Sequence, residues 1–517
     1  MGDDHDRKEQ RPDLTAGIAE AEIPDDRPLT GRVGDELVLL IRTGDDIHAL
    51  GATCSHYGGP LGDGLVVDGT VRCPWHHARF DVRTGAAVGG PALDPVPCWE
   101  VERADGRVRV RDRRKERAPS GHRPAQEPGS VVVLGGGAAG HAAVETLRTE
   151  GYPGPITVID ADPDSPYDRP QLSKTVLSGE QGPEALPLRD DAWFEAHEVH
   201  RVRARAEELD VDGRRVRLAN GDDVAFDRLL IATGAEPRDL PAEMPPDARV
   251  HTLRSWADGR RLIAAAEAGR RAVVVGASFI GLEVAAALRA RDVDVQIVAP
   301  EPLPLAATLG EDLGAWLQGL HESHGVTFHL GRQVARVVPD GVVLDDGREL
   351  PCDFVVVGIG VRPREELAAR AGLDTDDGIL VDARLQTSAP GIFAAGDVAR
   401  YPDAHAGTRV RIEHWVVAQR MGQHAARAML GAEAPFTDPP FFWTRHYGQT
   451  VSWVGAAPEW DDFVATGDPA SSYAIRYLRG GNERALATVE RDLENLRFEA
   501  ALEADVTDVR QAGAEAS

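Results

Sequence analysis

A multidomain architecture is the fold class this sequence predicts: an all-β N-terminal domain, an α/β body with two strand-turn-helix units in tandem, and a C-terminal α+β domain. Three observations predict it. At 517 residues the chain exceeds what one core fills, and one domain per ~150 residues gives about three or four. Two glycine turns, Gly135-Gly-Gly137-Ala-Ala-Gly140 and Gly276-Ala-Ser278-Phe-Ile-Gly281, each follow a β-branched run and precede an Ala-rich stretch. The chain before the first turn and after Pro439 has a different texture, with short strand-like runs broken by Gly, Pro and Asp.

Composition excludes several function classes. Lys+Arg 57 against Asp+Glu 84 gives a net charge of −27, which disfavours nucleic acid and anionic membrane surfaces as partners. The N-terminal stretch is charged with no apolar core, and no segment approaches the ~20 apolar residues of a membrane span. With only four cysteines and no targeting signal, a reducing cytoplasm is the expected compartment.

In residues 14–110, runs such as Glu36-Leu-Val-Leu-Leu-Ile-Arg42 and Arg107-Val-Arg-Val110 suit a small β-sandwich. It carries two mixed loops, Cys54-Ser-His56 and, sixteen residues on, Cys73-Pro-Trp-His76. One Cys and one His from each loop is what a [2Fe-2S] centre with two thiolates on one iron and two imidazoles on the other requires. A structural zinc site, the alternative, more often pairs Cys with Cys and His with His. The contexts Cys-Ser-His-Tyr-Gly-Gly-Pro-Leu and Cys-Pro-Trp-His-His-Ala-Arg-Phe-Asp resemble Rieske ferredoxins, which implies Cys54, His56, Cys73 and His76 as metal ligands. Rieske loops usually carry Gly after the second histidine, where this chain has His77, which leaves the local turn geometry open but not the ligand set. Neither loop holds a further cysteine for a bracing disulfide, and Cys98 and Cys352 are expected to be buried and inert. Residues 111–130 collect charge, Pro, Gly and Ser and read as a linker, whose about twenty residues would span roughly 25 Å.

The first glycine turn follows Ser130-Val-Val-Val-Leu and precedes a helical stretch, His141 to Thr149, and a second strand, Ile156 to Ile159. Gly135, Gly137 and Gly140 permit a tight turn and close approach of backbone to a pyrophosphate at a helix N-terminus. Asp160 and Asp162 fall where a ribose hydroxyl would be met. Pro166-Tyr-Asp-Arg169-Pro-Gln-Leu-Ser-Lys174, Ile231-Ala-Thr233-Gly234-Ala-Glu-Pro and Ile392-Phe-Ala-Ala-Gly396-Asp397 stand in the order and spacing of FAD-dependent pyridine nucleotide oxidoreductases, with the second fingerprint, Gly276 to Glu283, between them.

Together these motifs resemble the apoptosis-inducing-factor-like branch of ferredoxin reductases fused to an N-terminal Rieske domain, over residues 14–510. The resemblance implies an FAD-dependent NAD(P)H oxidoreductase, with FAD held by residues 131–245 and 380–432, NAD(P)H by 246–379, and a C-terminal reductase domain over 436–517. It carries Thr233, Gly234 and Arg169 to the flavin, Lys174 to its reactive edge, Asp397 to the ribityl chain and Glu283 to the nicotinamide. Lys174 is one of only three lysines, with Lys8 and Lys115, which favours a chemical role.

Ser278 replaces the middle glycine of the second fingerprint, in the Gly276 to Gly281 turn; it could bond a pyrophosphate or hold the backbone away from one. After the strand Val293 to Val298 the place usually held by a ribose-binding acid is occupied by Ala299, the nearest acid is Glu301, and no Lys or Arg lies between Ala299 and Thr308 to receive a 2′-phosphate. NADH rather than NADPH is therefore the expected donor. No Cys-x-x-Cys pair accompanies either fingerprint, which argues against disulfide reduction. The reading is an NADH-dependent electron-transfer flavoprotein passing electrons through FAD to its own Rieske cluster and on to an unidentified acceptor, possibly a redox protein. The rivals are a reductase for a separate ferredoxin, Rieske oxygenase or P450 system, and an NADH-responsive redox-sensing interaction protein.

Overall fold

The computed structural model describes residues 11–115 and 125–515. The N-terminal domain has a six-stranded antiparallel sheet, in the order Ile18–Ala19, Arg107–Arg113, Cys98–Ala104, Asp46–Gly51, Glu36–Thr43, Leu29–Val33. A second antiparallel sheet runs Leu65–Val67, Thr70–Arg72, Arg79–Asp81, Ala87–Gly89. The run in Glu36–Thr43 is continuously apolar because both faces of the strand are covered. Leu39 and Ile41 pack into a core with Cys54 and Cys73, while Val38 and Leu40 pack on the other side with Leu14, Trp99 and Val108.

The α/β body is built on two parallel five-stranded sheets. The first runs Val199–Arg203, Ile156–Asp160, Val131–Leu134, Arg228–Ile231, Ile392–Ala394. Its last strand enters only after the second sheet, Val250–His251, Phe354–Val357, Arg271–Val275, Asp294–Ala299, Thr327–Leu330, is complete, so one unit is inserted in the other. The strand Val131–Leu134, wholly buried, and Arg271–Val275, buried after its first residue, fit sheets covered on both faces. A C-terminal antiparallel sheet, Phe441–His446, Gln449–Gly455, Asn482–Val489, Ser472–Arg479, Asp462–Asp468, is followed by the helix Asp492–Glu515.

The expected linker differs at both ends. Arg111–Arg113 complete a sheet strand, and the Arg114 N–H donates to the Cys98 carbonyl at 2.8 Å. At the other end Gln126 N–H donates to the Leu430 carbonyl at 2.9 Å. Residues 116–124 lie outside the described residues.

The N-terminal domain is docked on the body through buried charge. Glu499, fully buried on the C-terminal helix, accepts from Arg420 Nη1 at 2.6 Å and His77 Nδ1 at 3.1 Å, and pairs with Arg79 at 3.3 Å and Arg72 at 3.5 Å. Glu503 adds contacts to Arg72 at 2.7 Å and Arg79 at 2.5 Å, and Asp438 one to Arg79 at 2.8 Å. Burial alone would push the Glu499 carboxyl up, but Arg420, His77 and Arg79 pull it well below the usual carboxylate range. Arg189 closes another edge with a two-pronged bond to Asp94.

Candidate active site

Each ligand loop is a tight turn closed by its own backbone. Cys54 N–H donates to the Gly59 carbonyl at 2.8 Å and Gly58 N–H to the Cys54 carbonyl at 3.0 Å; Cys73 N–H donates to Ala78 and His77 N–H to Cys73, at 2.9 and 3.1 Å. Gly59 leaves room for sulfur, since a Cβ there would lie 2.7 Å from Cys73 Sγ. The loops bring the two thiols into mutual hydrogen bonding, which holds Cys54 below and, with burial, pushes Cys73 above its ordinary value. They also set the His56 and His76 rings edge to face, with centroids 5.0 Å apart. Burial drives His56 down to about 3 and His76 well below its usual value, so both imidazoles are neutral with a lone pair to offer. The buried His56 Nδ1 has no hydrogen-bond partner. One thiol and one imidazole come from each loop, which suits four ligands divided two and two over a two-iron cluster better than a structural zinc site, where Cys more often pairs with Cys and His with His. These residues fit a [2Fe-2S] centre.

His77 has φ +59, the left-handed region in which a glycine is at ease. The backbone therefore takes a conformation open to glycine with a histidine in place. The side chain is accommodated because it stacks on Phe441, with centroids 3.8 Å apart, and reaches Glu499.

The first fingerprint opens into a cavity lined by Gly135, Gly137, Asp160, Asp162, Arg169, Thr233, Gly234 and Asp397. Gly135, at φ +100, admits no side chain: a Cβ would sit 2.4 Å from the Ala232 carbonyl oxygen. Gly140 lies beneath the cavity rather than in its lining, where the helix Ala138–Thr149 crosses the Gly135 carbonyl. Asp160 accepts from Gly136 N–H at 2.7 Å, and Asp162 accepts from the Tyr167 hydroxyl at 2.9 Å. Arg169 Nε is buried without a partner, and Asp397 is bound by Arg254 at 2.5 Å. Thr233 spends its hydroxyl on the Arg364 carbonyl. Sequence reasoning missed Arg254 and Arg364, which no motif marks and which the fold folds back into the lining. A guanidinium whose buried Nε is left unpartnered beside a glycine cradle fits the pyrophosphate of a dinucleotide.

The short 3₁₀ helix Arg169–Ser173 carries this cavity wall onward to Lys174. Lys174 Nζ donates to Glu283 Oε2 at 2.8 Å, Ser173 Oγ donates to the same oxygen at 2.5 Å, and Thr444 Oγ1 donates to Oε1 at 2.7 Å. The structure thus joins two residues more than a hundred positions apart. It also brings the ligand loops to the same place. Lys174 Nζ lies 5.8 Å from the centroid of the Trp443 ring, and that ring is 4.1 Å from the ring of His76. Tyr57, next to His56, donates its hydroxyl to Asp168, whose carboxyl burial pushes up to about 6. Trp443 was not singled out in the sequence.

At the second fingerprint Gly276 has φ +106, and Ser278 caps the helix Phe279–Arg289. Its hydroxyl accepts from Gly281 N–H at 3.2 Å and donates to the Gly358 carbonyl at 2.7 Å, so it is turned inward to the fold. Glu301 is exposed just past the strand Asp294–Ala299. No cation stands between Ala299 and Thr308, but Arg332 comes beside the segment, its N–H donating to the Ala299 carbonyl at 3.0 Å. The Arg332 guanidinium is held by Asp346 at 3.1 Å.

Residues 129–422 match the family model described as pyridine nucleotide-disulphide oxidoreductase. The chain belongs to the pyridine nucleotide-disulphide oxidoreductase family. Residues 15–100 of this oxidoreductase match the Rieske [2Fe-2S] domain. It is 34% identical over 476 residues to human apoptosis-inducing factor 3, covering 88% of this chain and 78% of that one. It is 38% identical over 355 residues to the biphenyl dioxygenase system ferredoxin--NAD(+) reductase component of Paraburkholderia xenovorans, covering 68% and 86%. The crystal structure of the covalent putidaredoxin reductase-putidaredoxin complex superposes with a TM-score of 0.70 at 30% identity, covering 73% of this chain and 93% of that one. The oxidoreductase is thus FAD-dependent and NAD(H)-linked, with a [2Fe-2S] cluster in its Rieske domain. Despite the family's name, its four cysteines are free: two lie in the ligand loops, Cys98 is raised by burial, and burial pushes Cys352 up to about 11. No helix among the described residues is long and apolar enough to cross a membrane.

Proposed function

We propose that this oxidoreductase passes electrons from NADH through FAD to its own Rieske cluster, held by Cys54, His56, Cys73 and His76, and from there to a redox-protein acceptor. The observation that supports the reading is the contact series Lys174, Trp443, His76, in which one ring separates the lysine from the histidine. Bound FAD supplies acceptance of an electron pair from the nicotinamide and release of single electrons to iron-sulfur. Gly135, Gly137, Asp160, Asp162, Arg169, Gly234 and Asp397 hold and orient that cofactor, and Gly140 lets its helix approach. Thr233 fixes the adjoining turn. Gly276, Ser278 and Gly281 shape the nucleotide turn of the donor, Glu301 meets its ribose, and Glu283 stands at the nicotinamide side. Anaerobic titration with NADH, following flavin absorbance and cluster EPR together, tests the reading: both signals should change, and bleaching of flavin with a silent cluster would contradict it.

Lys174 places an ammonium where negative charge develops on reduction, while Glu283 holds it in position. Lys174→Met should slow NADH-driven bleaching by about tenfold to a hundredfold and weaken FAD retention less. Equal bleaching rates in stopped flow would return Lys174 to a packing role. Donor choice follows from charge. With Glu301 at the strand end and Arg332 engaged by Asp346, a 2′-phosphate meets a carboxylate and no disengaged guanidinium in this pair. NADH should exceed NADPH in kcat/KM by at least about tenfold, and Glu301→Arg should narrow the gap. Equal activity with NADPH would show that Arg332 leaves Asp346 to bind the phosphate.

A second reading, relay to a separate ferredoxin or oxygenase component, is favoured by Trp75. This ring sits inside the second ligand loop yet is 42% exposed, an apolar surface beside the cluster.

A further inference from the structure

Behind the Lys174–Glu283 pair a chain of hydrogen bonds runs away from the cavity. Thr444 Oγ1 lies 2.7 Å from Glu283 Oε1 and 2.9 Å from His446 Nε2. His446 Nδ1 is 3.3 Å from His321 Nε2, and His321 Nδ1 is 3.2 Å from the Tyr447 hydroxyl. Glu283, Thr444, His446 and His321 are all buried. Tyr447 is half-buried, in a turn at the end of the strand Phe441–His446, and stacks on the exposed His324 with centroids 3.7 Å apart. The chain therefore joins a carboxylate in the reaction site to the protein surface.

Its protons can be assigned link by link. Paired with Lys174, the Glu283 carboxylate only accepts, so Thr444 donates to it and the threonine oxygen accepts from His446 Nε2–H. A neutral imidazole has one N–H, so His446 Nδ1 accepts from His321 Nε2–H, and His321 Nδ1 accepts from the tyrosine hydroxyl. Burial supports neutral rings: it brings His446 down to about 3, with Lys174 adding to the effect, and His321 down to about 2, with His446 and His324 adding. Burial pushes the Tyr447 hydroxyl up against the pull of Arg289, so it keeps its proton. The charged and titratable groups facing the chain are Lys174 at the inner end and His324 and Arg289 at the outer one. Every link then points the same way, toward Glu283. Two buried imidazoles joined only for packing would more cheaply be apolar, because uncompensated burial of polar groups is costly.

We propose that Tyr447, His321, His446 and Thr444 form a proton relay through which Glu283 takes up a proton from solvent when negative charge accumulates beside Lys174, an inference that rests on the function proposed above. The step balances. NADH gives a hydride, an electron pair with one proton, which adds one negative charge beside Lys174; a second proton enters at the Tyr447 oxygen, each link hands its own proton inward, and an O–H bond forms at Glu283 Oε1. Both histidines remain neutral in the opposite tautomer, with the relay now pointing outward to return the proton when the electrons leave singly for the cluster. Lys174, relieved of its carboxylate partner, is released to the charge it stabilises.

Anaerobic rapid mixing of the loaded protein with NADH in weak buffer, with a pH indicator, reads proton uptake and flavin bleaching separately. Uptake should accompany bleaching in the native protein. Tyr447→Phe, which removes one hydroxyl and keeps the ring, should delay uptake by at least about tenfold, as should Thr444→Val, and added imidazole should restore the rate in Tyr447→Phe. Neutron diffraction from the oxidised protein supplies a readout independent of turnover: deuterium should lie on the Nε2 atoms of His446 and His321 and on both hydroxyls. Uptake at the native rate in both variants, or a link with two protons or none, would overturn the relay. No bleaching at all would instead overturn the proposed function, and the diffraction result would still decide whether the chain is continuous.

Discussion

Glu499→Gln should cost the protein about 3–5 kcal/mol of stability, since removing one partner of a buried ionic cluster leaves the others without compensation. Glu499 is the only residue that touches Arg72, Arg79, Arg420 and His77 together among the described residues, and its side chain is fully buried. A glutamine of the same shape keeps the volume and loses the anion, so the loss is electrostatic. Denaturant unfolding should show the loss, and NADH-driven reduction of the cluster should slow while flavin bleaching does not, because the Rieske domain is no longer seated. The same carboxyl sets an acid limit. Its value in the folded protein is depressed, so its contribution is complete above the ordinary carboxylate value and is lost as pH falls toward the depressed one. Docking should therefore persist through mildly acid conditions. Unchanged stability and cluster reduction in Glu499→Gln would show that packing at Phe441 seats the domain without the charges.

The second large effect concerns the cluster itself. His76→Cys replaces a neutral ligand with a thiolate, and the added negative charge disfavours the reduced state. Rieske centres lie at roughly −150 to +300 mV and all-cysteine ferredoxin clusters near about −400 mV, so a cluster that assembles in the variant should fall by about 100 mV or more. The Lys174 ammonium, close enough to lower the His76 basicity, would offset part of the fall. Potentiometry with EPR detection checks it, and an unchanged or raised potential would mean that His76 is not a ligand.

Much of this site is legible in the sequence because the chemistry is local. The spacing of Cys54, His56, Cys73 and His76 forces each pair into one turn, and the two glycine turns announce their strands and helices. The departure at His77 is visible too, but its reason is not. It becomes intelligible only when a helix four hundred residues later presents Glu499 to it. Trp443 beside His76, Arg332 beside Ala299 and the pairing of His321 with His446 belong to the same class, made by packing between elements with no spacing of their own. The inward-turned Ser278 hydroxyl is an intermediate case: its position in the fingerprint is plain, whereas its choice of the Gly358 carbonyl depends on the end of the neighbouring strand, Phe354–Val357, which comes from a distant part of the sequence. The start of the linker is not legible because Arg111–Arg113 carry the polar character of a tether while completing a strand that pairs with Cys98–Ala104.

The central claim is that electrons reach the cluster of the same chain. Anaerobic mixing with NADH, freeze-quenched and read by EPR over a tenfold or wider range of protein concentration, tests it most directly, because an internal transfer has a rate set by the docked geometry alone. The account predicts a cluster-reduction rate that does not change with protein concentration and that falls in Glu499→Gln. A rate rising in proportion to concentration would mean that each cluster is reduced by the flavin of another molecule, and would contradict it.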